Sequence, residues 1–163
     1  MPVDWNAYRA AMRHFATGVA LLTVRDGEAI HGMTANSFTS VSKDPTLVLV
    51  CIQKGTATHA FVARAQNFAL NILGDDQRHL AQRFAKQIPV PSDPFADIAH
   101  HRGATGAPIF DRAVAYVDSR VVAMHDGGDH TIFVGAVEDA AVGNAHENLL
   151  LWYNGNYHAL KHE

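Results

Sequence analysis

Cysteine is all but missing from this 163-residue chain. The single residue, Cys51, cannot close an intramolecular disulfide, and its neighbours Leu47, Val48, Leu49, Val50 and Ile52 place it in an apolar strand as a small buried residue without a catalytic role. Long hydrophobic runs are also lacking. Nothing approaches the roughly 20 apolar residues that span a bilayer, and the N-terminus carries no basic segment followed by an apolar core, so no membrane role and a cytoplasmic location are expected. Neither sign of charge dominates: 13 basic against 16 acidic residues give a formal net charge of -3, which offers nucleic acid no polyanion-binding surface. Catalytic signatures are missing too. No GxGxxG follows a strand, and no GxSxG elbow accompanies Ser37, Ser40 or Ser42. The 11 histidines form neither HExxH nor a Cys/His pattern, and the adjacent His100 and His101 cannot share one face of a regular element, so no metal site is expected.

What is present is the composition of an ordinary folded domain, 48% hydrophobic and 18% charged, at a length suited to one domain over residues 1–163. Trp5, Tyr8, Met12 and Phe15 recur at helical spacing behind Asp4, a candidate N-cap, and predict a helix with one face packed on the body. From Gly18 to Arg25 the pattern turns β-rich, and Asp26-Gly27 leads into a second short strand through Ala29 and Ile30. Ser37 to Ser42 alternates, whereas Leu47 to Ile52, beyond Pro45, is continuously apolar and resembles a central strand. A short helix over His59 to Ala65 precedes a strand over Phe68 to Leu73. Asp75 or Asp76 is placed to cap a helix carrying Leu80, Ala81 and Phe84 that ends before Pro89.

Residues 87–108 hold Pro89, Pro91, Pro94, Gly103, Gly106 and Pro108, the composition of a long connection. Strands over Ala115 to Met124 and Thr131 to Val137 flank Asp126-Gly127-Gly128-Asp129, and a last pair, Leu149 to Tyr153 and Tyr157 to Leu160, surrounds Asn154-Gly155. Many strands, few helices and little βα alternation predict a mainly β barrel with a few covering helices, not a doubly wound sheet.

Polar residues gather at three places. Gly32-Met33-Thr34-Ala35-Asn36-Ser37-Phe38 joins two strands, and its backbone and side-chain donors suit a planar ring edge or a phosphate, or simply a turn. Gln53, Lys54, Thr56, Thr58 and His59 open a helix and combine one cation, hydroxyls and helix-start amides; they read equally as a phosphate cradle or a solvated loop. Gly128-Asp129-His130-Thr131 enters an apolar strand, where His130 either orients a nicotinamide or flavin edge or is an ordinary strand-end histidine.

The segments HFATGVALLTV, HGMTANSFTSVS, LVLVCIQKGTATHA, FALNIL, DDQRHLAQRFA and GGDHTIFVGAVEDA occur in order over about residues 8–160 and resemble the flavin reductase-like family of short-chain NAD(P)H:flavin oxidoreductases. The resemblance implies a split β-barrel of the FMN-binding type, a homodimer, and FMN or FAD bound in a groove near the interface. It places Met33, Thr34, Ala35, Asn36 and Ser37 along the ring and ribityl chain, and Lys54, Thr56, Thr58 and His59 near the phosphate. Cys51 and Gln53 belong to the same matched strand and count among the cofactor-binding candidates, as do Arg83 and Phe84. His130 would face the nicotinamide of NADH or NADPH as the catalytic residue. Reduced flavin would pass to a partner monooxygenase; the other readings are a non-catalytic flavin- or haem-binding module of the same fold, or a reductase serving a corrinoid or ferric acceptor. Two departures stand out: Thr56 where the family often has serine, and a poor match over residues 87–102. The apolar Leu149, Leu150, Leu151 and Trp152 exceed the obvious needs of a small barrel and are compatible with a dimer interface.

Overall fold

A computed structural model describes residues 3–143 and 148–160. Asp4 caps α1 (Trp5–Met12) by accepting from the Ala7 N–H at 3.2 Å. A short strand, β1 (Thr17–Gly18), leads into the hairpin of β2 (Ala20–Asp26) and β3 (Ala29–Ala35). Next come β4 (Phe38–Lys43), β5 (Thr46–Gln53), α2 (Ala57–Ala65), β6 (Asn67–Ile72) and, behind one 3-10 turn, α3 (Arg78–Phe84). The chain continues through β7 (His100–Arg102), β8 (Pro108–Phe110), the long hairpin of β9 (Ala115–Gly127) and β10 (His130–Val142), and the closing hairpin of β11 (Leu149–Tyr153) and β12 (Asn156–Leu160).

The architecture is mainly β. One seven-stranded antiparallel sheet has the order β3-β2-β6-β9-β10-β5-β4, β1 extends the last hairpin into a three-stranded sheet, and β7 pairs with β8. The large sheet is not closed by a ladder; its margins are β3 and β4. Asn154 and Gly155 both have positive φ, 50° and 78°, which suits the two-residue turn of a hairpin whose twist matches its strands.

Two cores share β2. Ala20, Leu22 and Val24 enter the first with Val50, Ile52, Phe68 and Phe133, whereas Leu21 enters the second with Leu73, Leu80, Phe95, Phe110 and Leu150. Both faces of β2 are therefore covered over residues 20–22, and its polar alternates Thr23 and Arg25 donate to the Pro108 and Gly106 carbonyls. Each such Val, Leu, Ile or Phe contributes about 1.5–3 kcal/mol on burial, so these clusters fix the strands from which the polar turns project.

Several expectations are corrected. The apolar face of α1 does not pack on the body: Trp5 is 65% and Phe15 64% exposed, with Tyr8 and Met12 exposed as well. The helix end is held instead by the Asn154 N–H donating to the Arg13 carbonyl at 2.9 Å. The strand at 47–52 is interior as expected, paired with β10 on one side and β4 on the other, but only one of its faces is fully covered: Val48, Val50 and Ile52 are buried while Leu47, Leu49 and Cys51 are half-buried. Cys51 thus points away from the core it was expected to enter. Neither Asp75 nor Asp76 caps a helix: the turn starts at Gly74, whose N–H donates to the Gln77 side chain at 3.0 Å. Residues 87–108 include the β7 strand, and Leu150 and Trp152 are absorbed by the second core rather than left over for an interface.

Candidate functional site

The turn after β3 is stapled to β5. Ser37 Oγ donates to the Cys51 carbonyl at 2.8 Å, and the Cys51 N–H donates to the Ser37 carbonyl at 2.9 Å. A second tie joins β3 to α2, where His31 Nε2 lies 2.9 Å from the Thr58 hydroxyl and the imidazole stacks on Phe61 at 5.0 Å. Burial, and secondarily the Lys86 ammonium, push the His31 pKa below its usual value. These ties set the 33–37 and 53–59 clusters side by side at the end of β5.

Thr56 starts α2 from a β conformation, accepting from the His59 N–H at 3.2 Å while its hydroxyl donates to the Gln53 carbonyl at 2.8 Å. The helix therefore begins at a fixed corner. The third cluster meets it through the sheet: His130 lies opposite Gln53, and the Lys54 N–H donates to the Asp129 carbonyl at 2.9 Å. The Lys54 ammonium bonds the Asp126 carboxylate and the Gly128 carbonyl, the latter at 2.6 Å. This hydrogen bond, followed by the charge of Lys54, holds the Asp126 carboxyl below the ordinary carboxylate range. His59 Nε2 lies 2.8 Å from the Thr131 hydroxyl, its ring edge-on to Phe133 at 5.4 Å. A carboxylate only accepts, so His130 Nδ1 donates to Asp129 at 2.8 Å, and that bond lowers the Asp129 pKa.

Ser37, Cys51, Gln53, Lys54, Thr56, Thr58, His59 and His130 thus belong to one connected corner. Other candidates are taken up elsewhere. The Thr34 hydroxyl donates to the Ala81 carbonyl of α3 at 2.6 Å, and Met33 packs against the first core. Arg83 forks onto Asp97, with its second bond at 2.9 Å, and reaches the Pro94 carbonyl at 3.2 Å. The Arg83 hydrogen bonds push the Asp97 carboxyl down to about 2. Phe84 meets Phe95 edge-on at 5.0 Å. Burial raises the Cys51 thiol pKa, which opposes reactivity.

Thr34, Ala35 and Asn36 also line a cavity of about 220 Å³ with Val19, Trp152 and Tyr157. A second cavity, of about 420 Å³, adjoins it at Asn36 and Trp152 and includes Ser37. Neither reaches Lys54, Thr56 or His130. Trp152 and Tyr157, in edge-on contact at 4.8 Å, are residues that sequence reasoning did not place at the site. Their hairpin was legible from Asn154-Gly155, but the cavity it closes against β3 depends on contacts far apart in the chain. Among the described residues no group of three or more His, Cys, Asp or Glu gathers as a metal-binding cluster.

The sequence profile of the "Flavin reductase like domain" matches residues 12–161. Among curated proteins, the chain is 38% identical over 156 residues to the reductase component of 4-nitrophenol 4-monooxygenase/4-nitrocatechol 2-monooxygenase from Rhodococcus opacus, covering 96% of this chain and 81% of that one. Among solved structures, flavin reductase PheA2 in its native state superposes with a TM-score of 0.89 at 37% identity, covering 98% of this chain and all (100%) of that one. The NADH:FAD oxidoreductase SgcE6 of Streptomyces globisporus C-1027, in complex with NAD and FAD fragments, superposes with a TM-score of 0.85 at 36% identity over 97% and 95% of the two chains.

Proposed function

The chain belongs to the flavin reductase like family, and from that membership we propose that it is an NAD(P)H:flavin oxidoreductase that reduces FMN or FAD and supplies the product to a partner monooxygenase. NADH is the donor we favour, since a neighbour of 36% identity is an NADH:FAD oxidoreductase. The observation that carries the reading is the pair of ties, Ser37 to Cys51 and His31 to Thr58, which set the two polar turns in one corner beside His130.

The donor set fits a flavin. A tricyclic ring with a polar edge and an anionic tail requires amide and hydroxyl groups at one end and a cation near a helix start at the other, and the chain offers Thr34 to Ser37 and then Lys54 with the α2 N-terminus. A bound flavin supplies the two-electron chemistry that no side chain here provides. The protein's share is placement. Asn36 and Ser37 orient the polar edge, while Lys54, Thr56 and the first turn of α2 hold the phosphate. His130, oriented by its bond to Asp129, would position the nicotinamide against the flavin ring. Donors near the ring's polar edge stabilise the negative charge that accumulates on reduction.

The fold corresponds in our reading to the split β-barrel of the FMN-binding type, formed by a single domain over residues 1–163 that works as a cytoplasmic homodimer. Support for a dimer comes from the outward faces of β5 and β10, where the half-buried Leu47, Leu49 and Cys51 run alongside Ile132 and Val134. No helix is long and apolar enough to cross a membrane among the described residues.

Anaerobic stopped-flow tests the reading. Mixing the protein and FMN or FAD with NADH or NADPH should bleach the flavin's visible band, whereas tight binding without bleaching would leave a mere binding module. His130→Ala should slow reduction or raise the nucleotide KM more than it weakens flavin binding, and equal losses in both would remove His130 from its assigned place.

A further inference from the structure

Arg9 and Arg13 are the only arginines whose side chains meet no partner among the described residues. Every other arginine in the chain is met by a carboxylate, a backbone carbonyl or an aromatic ring. The two stand four residues apart at the end of α1, a spacing that brings like charges together on one helix face and disfavours the pair unless an anion relieves it. A helix C-terminus favours cations, which accounts for their position but neutralises neither.

Both line the same cavity, of about 420 Å³, together with Met12, Phe15, Trp152 and Ser37. Its neighbour, at the shared residues Asn36 and Trp152, is the smaller cavity faced by Thr34 and Ala35. The arginines are carried on a fixed support, because the Arg13 carbonyl is bonded to the Asn154 N–H at 2.9 Å and His14 Nδ1 lies 3.3 Å from the Tyr153 hydroxyl. Two forked cations with an apolar and aromatic floor, opening beside the turn assigned to the flavin, match a phosphate-bridged nucleotide: guanidinium takes oxyanions two-fold, and the rings offer a stacking surface for a base. The chain is acidic overall, at -3, so this is a local inversion of charge.

We propose that Arg9 and Arg13 form the subsite for the pyrophosphate bridge of NADH, so that the end of α1 holds the adenylate half of the substrate while its nicotinamide meets the flavin beside the 33–37 segment. This rests on the flavin reductase reading. The bridge is that of NADH, because the flavin's own phosphate, one half of the bridge in FAD, is assigned to Lys54 and the start of α2, which this cavity does not reach; reduced nicotinamide mononucleotide, which lacks the bridge, is the comparison substrate.

The test compares wild type with Arg9→Gln/Arg13→Gln, and with Arg9→Lys/Arg13→Lys, which keeps the charge but loses the fork. α1 contributes no buried residue, so these variants should fold as wild type does. A fall of about tenfold in the ratio of kcat/KM for NADH over the mononucleotide is expected; an unchanged ratio with a rise of about tenfold in the Kd ratio of FAD over FMN would overturn the assignment. The Lys variant should fall between. ADP, which contains neither reacting ring, should bind wild type and lose that binding in the Gln variant, measured by calorimetry independently of turnover. If both ratios and ADP binding stay within twofold of wild type, the subsite does not exist, even where wild type reduces flavin normally; absence of flavin reduction by wild type would instead sink the parent reading.

Discussion

Lys54 provides the sharpest test of the phosphate corner, because the structure gives it a competitor. Its ammonium bonds the Asp126 carboxylate and the Gly128 carbonyl, and the side chains of Lys54 and Asp126 are 43% and 78% exposed. Ion pairs this exposed contribute little to stability, so Lys54→Met should leave the Tm essentially unchanged. Phosphate binding behaves differently. A charge-assisted hydrogen bond at such a site contributes about 1.5–3 kcal/mol, equivalent to roughly one to two decades in Kd. Titrations with FMN and riboflavin isolate this effect, since riboflavin carries the same ring without the phosphate. Lys54→Met should weaken FMN by about tenfold to a hundredfold while changing riboflavin less than about twofold. Asp126→Asn should act in the opposite direction, releasing Lys54 and tightening FMN, most clearly at low salt. The competition persists in mild acid because the Lys54 bond holds the Asp126 pKa below its ordinary value. Equal weakening of FMN and riboflavin in Lys54→Met, or weaker FMN binding in Asp126→Asn, would refute the assignment of this corner to the phosphate.

Two further outcomes concern the frame that carries the site. A Cβ at Gly135 would stand 2.7 Å from Ser119 Cβ and 2.8 Å from Phe68 Cζ, both residues fully buried; Gly135→Ala should therefore cost about 1–3 kcal/mol, seen in thermal denaturation as a Tm lowered by roughly 2–12 °C. His31 resists protonation in the folded state, whereas the unfolded chain takes up that proton near pH 6.5 or about there. Its contribution to stability is thus complete above that value and declines as pH falls towards the depressed folded pKa. The Tm of wild type should drop more between neutral and mildly acidic buffer than that of His31→Gln; equal drops would contradict the shift.

How much of this was legible in the sequence differs by element. The β11–β12 hairpin was readable because Asn154 and Gly155 are local determinants of one turn geometry. The interior position of β5 was readable from its apolar run, but its burial was not: a run without polar residues reads as covered on both faces, and here the outward face of Leu47, Leu49 and Cys51 is only half-buried. Helical spacing at Trp5, Tyr8 and Met12 marked the helix correctly, but periodicity says which residues share a face, not what covers it. For the site, the three polar clusters were visible as composition. Their adjacency was not, since it depends on Ser37 finding Cys51 and His31 finding Thr58 across other strands. Arg9, Arg13 and Trp152 carried no local mark of a cavity at all.

The two margins of the large sheet lie at opposite ends of its strand order, yet β3 ends at Ala35 and β4 starts at Phe38. Asn36 and Ser37 therefore work as a clasp that keeps one end of each border strand within two residues of the other, so the sheet curls at this end, and the same two residues line the larger of the two cavities beside it. An insertion in this link would let the curl relax and open this end of the sheet, so the shape of the cavity and the curvature of the sheet cannot evolve independently at this point.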